Sequence, residues 1–155
     1  MQRRQLLAAT LATLGTAALA QSPRTDKAPL LQVWKSPDCG CCGEWVQHMR
    51  DNGFAVEIFD VGNVAARKRL GMPDKLGSCH TARVGGYVIE GHVPAADVQR
   101  LLREKPNALG LAVPGMPIGS PGMDGPEYGG RRDPYDVLLV ARDGTTRVFQ
   151  SHHKT

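Results

Sequence analysis

The spacing of apolar positions predicts alternating strands and helices up to about residue 105. Apolar runs bounded by turn residues indicate strands, while Trp45, Val46 and Met49 fall on one face of a helix. Gly85 and Gly86 separate two short apolar runs, a pattern typical of a β-hairpin. We therefore predict strands at residues 30–35, 54–61, 81–84 and 87–90, and helices at residues 44–51, 64–70 and 94–104.

The remaining third of the chain follows a different pattern. Residues 111–133 are rich in glycine and proline, and we predict that they form a long loop without regular structure. Residues 136–141 and 145–150 flank a turn and predict a terminal β-hairpin. The element order predicts an α/β protein, with a βαβαββα domain at residues 30–105 and a C-terminal extension at residues 106–155 packed on the same domain.

The first 20 residues have the pattern of an export signal. Arg3 and Arg4 precede an uncharged run rich in alanine and leucine, which ends in A-L-A at residues 18–20. The run is shorter than the roughly 20 residues that cross a bilayer, and the paired arginines also resemble a twin-arginine signal. We predict that residues 1–20 are removed on export, that residues 21–29 form a flexible lead, and that the mature protein has no membrane segment.

The charge balance gives no support for a nucleic-acid partner, and we predict none. The formal charge is +4, and loss of Arg3 and Arg4 without any acidic residue lowers it to +2. The remaining charges are of mixed sign and form no basic stripe. The mature length suits one domain, and a short domain with no sign of a large interface predicts a monomer.

Three of the four cysteines lie within four residues, so disulfides among them could not cross-link distant parts of the fold. Cys39 and Cys42 form a C-x-x-C motif where a predicted strand meets a helix. Unpaired N–H groups and the positive end of the helix dipole favour thiolate there, and thiolate is both a nucleophile and a metal ligand. Strand, C-x-x-C and helix followed by β-α-β-β-α is the thioredoxin-like order. The motif therefore predicts the fold and leaves disulfide exchange and metal binding open.

Cys41 and the S-C-H-T segment at residues 78–81 favour a metal. A dithiol oxidoreductase needs two sulfurs, whereas a soft ion such as Cu(I) gains from a third thiolate. In thioredoxin-like proteins the loop before the third strand folds over the C-x-x-C motif and ends in a cis-proline, but here Ala82 follows the segment. A thiol and an imidazole take that place. We therefore predict that the metal ligands are Cys39, Cys41, Cys42, Cys79 and His80.

The C-terminal extension offers weaker candidate ligands. Met116 and Met123 are thioethers in the predicted loop, and they either bind Cu(I) or pack the loop against the domain. His152 and His153 follow the last predicted strand and either reach back to the metal or form a solvated tail.

Two further histidines are predicted to lie outside the metal site. His92 stands between a strand and Pro94, so we assign it a structural role. His48 is opposite Trp45 on the predicted helix, so we expect it to be exposed.

Four segments carry a resemblance to a known family. They are V-W-K-S-P-D-C-G-C-C-G at residues 33–43, L-G-S-C-H-T-A at residues 76–82, G-Y-V-I-E-G-H-V-P-A at residues 86–95 and G-L-A-V-P-G-M-P-I-G-S-P-G-M at residues 110–123. The chain resembles the CopG-type periplasmic copper-resistance proteins, a family long labelled as a domain of unknown function. The resemblance implies a thioredoxin-like domain, a periplasmic location, copper bound beside the C-x-C-C motif, and interconversion of Cu(I) and Cu(II).

Three other functions stay open at this point. Cys39 as nucleophile and Cys42 as resolving thiol would make a periplasmic thiol–disulfide oxidoreductase. A passive carrier would hand copper to an efflux system without changing its oxidation state, whereas a redox protein would need a periplasmic electron donor. A structural zinc site is disfavoured because adjacent cysteines fit a tetrahedral site poorly.

Overall fold

The computed structural model describes residues 27–152, which contain one mixed β-sheet of seven strands in the order β2-β1-β3-β4-β5-β6-β7. The strands are β1 Leu30–Lys35, β2 Ala55–Phe59, β3 His80–Val84, β4 Tyr87–Glu90, β5 Gly110–Ala112, β6 Tyr135–Val140 and β7 Thr146–His152. The helices are α1 Gly40–Asp51, α2 Val64–Arg69 and α3 Ala95–Glu104. The predicted α/β class is therefore confirmed, and the thioredoxin-like assignment stays a prediction.

Helix α1 begins four residues earlier than the apolar pattern predicts. Cys39 is its N-cap residue, so Cys41 and Cys42 lie in its first turn. The buried face consists of Cys42, Trp45, Val46 and Met49, which recur at the three- and four-residue spacing of one helical face. The prediction of a helix start at residue 44 is wrong because the apolar pattern begins at Trp45, whereas the first turn of the helix is formed by the cysteine motif itself.

Both faces of the sheet are covered. On one face, residues of β1 such as Leu31 and Val33 pack with Trp45 of α1 and Leu101 of α3 in the main core. On the other face, a smaller core contains Met72, Leu76, Val88, Ala112 and Val140. Alternate residues of a strand point to opposite faces, which is why β1 and β4 can contribute to packing on one side and present polar groups on the other.

The C-terminal extension joins the sheet. The prediction that residues 111–133 lack regular structure is wrong at two places in this segment. Gly110–Ala112 pairs in parallel with β4 and antiparallel with β6, and Pro126–Tyr128 forms a 3₁₀ turn. A three-residue strand flanked by glycine has too short an apolar run to be recognised by its alternation, and only its two neighbours define it.

The strand register sets the position of the functional residues. Lys35 at the end of β1 pairs with His80 at the start of β3, and Thr81 pairs with Glu90 at the end of β4. The segments after β1, before β3 and after β4 therefore meet at one edge of the sheet, where the C-x-C-C motif lies.

Some predictions fall on parts of the chain that the structure does not describe. The export signal, most of the lead and His153 lie outside residues 27–152. None of the helices within these residues combines the length and the apolar character that a bilayer crossing requires. The proposed domain boundaries stay predictions.

Two glycines give opposite predictions for stability. A methyl group on Gly110 would overlap the backbone carbonyl of Val88 on the neighbouring strand, whereas one on Gly43 in α1 meets no atom within 4 Å. We expect Gly110→Ala to lower the free energy of unfolding by about 2 kcal/mol or more, because backbone cannot yield as a side chain does. Gly43→Ala should raise it by up to roughly 1 kcal/mol through helix propensity. Urea denaturation measures both, and equal values for the two variants would contradict the strand packing.

Candidate metal centre

Three chain segments bring thiols and imidazoles together at the sheet edge. Cys39, Cys41 and Cys42 come from the β1–α1 junction, Cys79 precedes β3, and His92 follows β4. Each segment is held by a paired strand, so the side chains converge through backbone pairing of the sheet.

The first group is formed by all four cysteines and is here called the cysteine cluster. The Sγ atoms of Cys39, Cys41, Cys42 and Cys79 lie within 4.8 Å of one another. The Sγ of Cys41 is 3.6 Å from that of Cys39 and 3.9 Å from that of Cys79. Cys39 and Cys42 are joined by a disulfide, while Cys41 and Cys79 are free thiols. Sulfur ligands at these separations suit soft ions.

The second group shares one residue with the first. The ligand atoms of Cys79, His80 and His92 also lie within 4.8 Å of one another. Cys79 is thus the only residue common to both groups found among residues 27–152. A metal bound to its sulfur would have thiols on one side and imidazoles on the other.

His92 is oriented by its second ring nitrogen. Its Nδ1 is 2.8 Å from the carbonyl oxygen of Pro121, which can only accept a hydrogen bond. The proton therefore sits on Nδ1, and in the neutral ring Nε2 has a free lone pair. That Nε2 is 3.0 Å from the Sγ of Cys79 and accepts its S–H proton. An imidazole fixed in this way by a backbone carbonyl is the usual form of a metal-binding histidine.

His80 is fully buried and has a nitrogen without a protein partner. Its ring packs on Trp45 with 4.2 Å between centroids, and its Nδ1 is 3.4 Å from the Sγ of Cys79. Its Nε2 has no hydrogen-bond partner among the described residues. Buried nitrogens are nearly always hydrogen-bonded in native proteins, so we expect an ordered water or an ion at this atom.

Burial disfavours the charged forms of Cys79, His80 and His92. Burial, and next the neighbouring Cys41, raise the pKa of the Cys79 thiol to about 12. Burial lowers the pKa of His92, and burial together with His92 lowers the pKa of His80 well below its ordinary value of 6.5. A neutral imidazole can bind a metal directly, whereas the Cys79 thiol must first release its proton.

The two methionines have different environments. Met116 is 51% exposed and lines a cleft of about 430 Å³ with Ser78 and Cys79. Met123 is buried, and its Sδ accepts a hydrogen bond from the Tyr128 hydroxyl at 3.4 Å. Met116 therefore stands at an opening beside the cysteine cluster, and Met123 packs the extension.

His152 and His48 make other contacts. His152 is the last residue of β7 rather than part of a tail, and its Nε2 is 2.7 Å from the Asp97 carboxylate. It belongs to neither metal-ligating group found within the described residues. The prediction that His48 is exposed is wrong, because its Nε2 accepts the backbone N–H of Ala95 and it is half-buried.

His92 is the candidate ligand that the sequence analysis placed outside the metal site. A purely structural role does not account for the lone pair that its Nε2 presents to Cys79. The predicted hairpin contains the information that identifies this contact. Its strands, 81–84 and 87–90, are joined by two residues, so their antiparallel pairing places residue 92 opposite residue 79. Continuing that register by two residues beyond the strands identifies the pair.

The fold and the site define a class, an α/β protein with a Cys/His cluster suited to a soft metal ion. A family model described as "Protein of unknown function, DUF411" matches residues 76–123. The chain is 42% identical to a solved structure named "Copper resistance protein copG- Form 2", covering 81% of this chain and 98% of that one with a TM-score of 0.74. A structure named as Form 1 of the same protein is 43% identical over 79% of this chain and 96% of that one, with a TM-score of 0.73. No curated protein matches the chain.

The chain therefore belongs to the copper resistance protein CopG family, which confirms the resemblance found in the sequence.

The buried imidazoles predict an acid-sensitive metal-free protein. The unfolded chain binds protons at these histidines below about pH 6.5, while the folded protein, with its lowered pKa values, does not. The contribution of these histidines to the free energy of unfolding is therefore fully present above about pH 6.5. It falls as the pH is lowered, by up to about 1.4 kcal/mol per pH unit for each such proton. Lys35, Cys79 and His92 surround His80 and remain in the variant His80→Gln. Urea unfolding at pH 7.5 and 5.5 should show a smaller pH slope in that variant, and equal slopes would contradict the assignment.

Proposed function

We propose that this chain is an exported, periplasmic copper-binding protein that serves copper resistance, with copper as its cargo or substrate. The membership of the CopG family supports the metal, and the predicted signal at residues 1–20 supports export. The observation on which the proposal mainly rests is the position of Cys79, which belongs both to the cysteine cluster and to a group with two buried imidazoles.

Two kinds of ligand at one site suit two oxidation states of copper. Thiolates of Cys39, Cys41, Cys42 and Cys79 bind Cu(I), and the neutral rings of His80 and His92 also accept Cu(II). A thiolate has several lone pairs, so Cys79 can bridge ions in the two groups. We therefore propose that the reduced protein binds more than one copper ion.

The Cys39–Cys42 pair supplies the redox capacity in this proposal. Oxidation of the dithiol to the disulfide releases two protons and two electrons, which reduce two Cu(II) ions to two Cu(I) ions. The disulfide is the oxidised product, and a periplasmic electron donor must reduce it before the next cycle. Without that step the protein would act as a carrier that hands copper to an efflux system.

A second candidate function is thiol–disulfide exchange. The observation that favours it is the disulfide between Cys39, the N-cap of α1, and Cys42 in its first turn. That position lowers the pKa of a thiol and makes it a good nucleophile and leaving group. The free thiols Cys41 and Cys79 at contact distance count against it, because they compete for the same disulfide.

Copper titration of the reduced protein tests the main proposal. Titration with Cu(I) against a chromophoric chelator should saturate above one ion per chain, and Cys79→Ser should lose at least one ion because it interrupts both groups. His48→Gln is a matched control, since His48 bonds to backbone outside the cluster. A stoichiometry near zero for the wild-type protein would overturn the copper function.

A disulfide-reduction assay with metal-free protein separates the second candidate. The copper proposal predicts that a disulfide substrate is turned over no faster than by a small dithiol. Rapid turnover that survives Cys41→Ser and is abolished by Cys39→Ser would instead establish an oxidoreductase.

A further inference from the structure

A fully buried carboxylate lies beneath the metal site without belonging to it. Glu90 is the last residue of β4, two positions before His92, and is completely inaccessible to solvent. It is in neither metal-ligating group found within residues 27–152. A buried carboxylate is costly unless it is hydrogen-bonded, so its partners indicate what it is for.

Those partners flank the dipeptide Cys79–His80. The Oε1 atom of Glu90 accepts the backbone N–H of Ser78 at 2.8 Å, and its Oε2 accepts the hydroxyl of Thr81 at 2.6 Å. One carboxylate thus bonds to the residue before the pair and to the residue after it. Bonds from N–H and O–H groups to a charged acceptor are among the stronger hydrogen bonds in proteins.

Helix α2 completes the arrangement from the same face of the sheet. Arg67 donates through Nη1 to Glu90 at 3.2 Å and to the carbonyl of Ser78 at 3.3 Å. Asn63, the N-cap of α2, donates to the same carbonyl at 3.1 Å. Both backbone groups of Ser78 are therefore held, and the charge of Glu90 is balanced by the guanidinium.

The opposite face of the strand holds the metal-ligating side chain. Thr81 points toward Glu90 and α2, whereas His80 points toward Trp45 of α1. Because neighbouring residues of a strand alternate between faces, fixing Thr81 on one side orients His80 on the other. The residue after β4 lies directly against Ser78. Gly91 has a φ of +70°, and a methyl group there would come within 2.6 Å of the Ser78 side chain.

We propose that Glu90 is a positioning residue for the metal site. Its carboxylate, paired with Arg67, holds Ser78 and Thr81 so that the Sγ of Cys79 stays between the cysteine cluster and His92. The part of this proposal that concerns copper rests on the proposed function, whereas the part that concerns the Cys79 thiol does not.

The first test uses metal-free protein with its disulfide intact, in which Cys41 and Cys79 are the free thiols. In Glu90→Gln the negative charge that pairs with Arg67 is lost, and the NH₂ group at one carboxylate position can no longer accept a hydrogen bond, so the loop loosens and Cys79 becomes more exposed. Alkylation followed by mass mapping should show Cys79 reacting at least about tenfold faster than in the wild-type protein, with the Cys41 rate unchanged. Glu57→Gln, an exposed glutamate on β2 that bonds to Gln32, is the matched control and should change neither rate.

The second test uses copper as the probe. If the proposed function holds, Glu90→Gln should weaken Cu(I) binding by about 10- to 100-fold and change the near-ultraviolet thiolate-to-copper bands, as loss of a partner behind a ligand does elsewhere. If the wild-type protein binds no copper, the copper function fails, and the alkylation result still decides the role of Glu90.

Thr81→Val covers the case in which Glu90→Gln does not fold. It keeps the shape of the side chain and removes one hydrogen bond to the carboxylate, so Cys79 alkylation should accelerate by a smaller factor. The proposal is overturned if Cys79 in the folded variants reacts at the wild-type rate, because Glu90 then does not position it. It is also overturned if the alkylation rates of Cys41 and Cys79 rise equally, because the variant has then loosened the protein in general.

Discussion

The pairing of β3 between β1 and β4 is the constraint on which the candidate metal site depends. Lys35 lies opposite His80 and Thr81 opposite Glu90, so the end of β1, the start of β3 and the end of β4 coincide at one sheet edge. A slip of one residue would turn His80 from the α1 face to the α2 face. The convergence of thiols and imidazoles is therefore a consequence of backbone hydrogen bonding, and the side chains need no direct attraction to each other.

Burial then determines the chemical state of these groups. Burial lowers the pKa of both imidazoles, and the Pro121 carbonyl behind His92 leaves its Nε2 lone pair facing Cys79. The Cys79 thiol keeps its proton at neutral pH because a thiolate would be desolvated. A positive metal ion reverses that balance, since it compensates the thiolate charge. The site is in this sense prepared for a cation.

The disulfide links the binding capacity of the cysteine cluster to its redox state. With Cys39 and Cys42 joined, two of the four sulfurs cannot act as thiolates, and the remaining thiols are Cys41 and Cys79. Reduction restores four thiols within the same 4.8 Å. Under the proposed function, release and capture of copper would follow from one two-electron step.

The sequence by itself determined the α/β class, most of the strands and helices, and the choice of the C-x-C-C and S-C-H-T segments as candidates for one site. These follow from local information: apolar periodicity, turn residues and the chemistry of clustered sulfur. The tertiary structure alone decided that β5 is a strand, that His48 is half-buried, and that His92 faces Cys79 while His152 pairs with Asp97. Those facts depend on which distant segments become neighbours. Strand pairing selects these neighbours across the whole chain, and a local pattern contains no record of that choice.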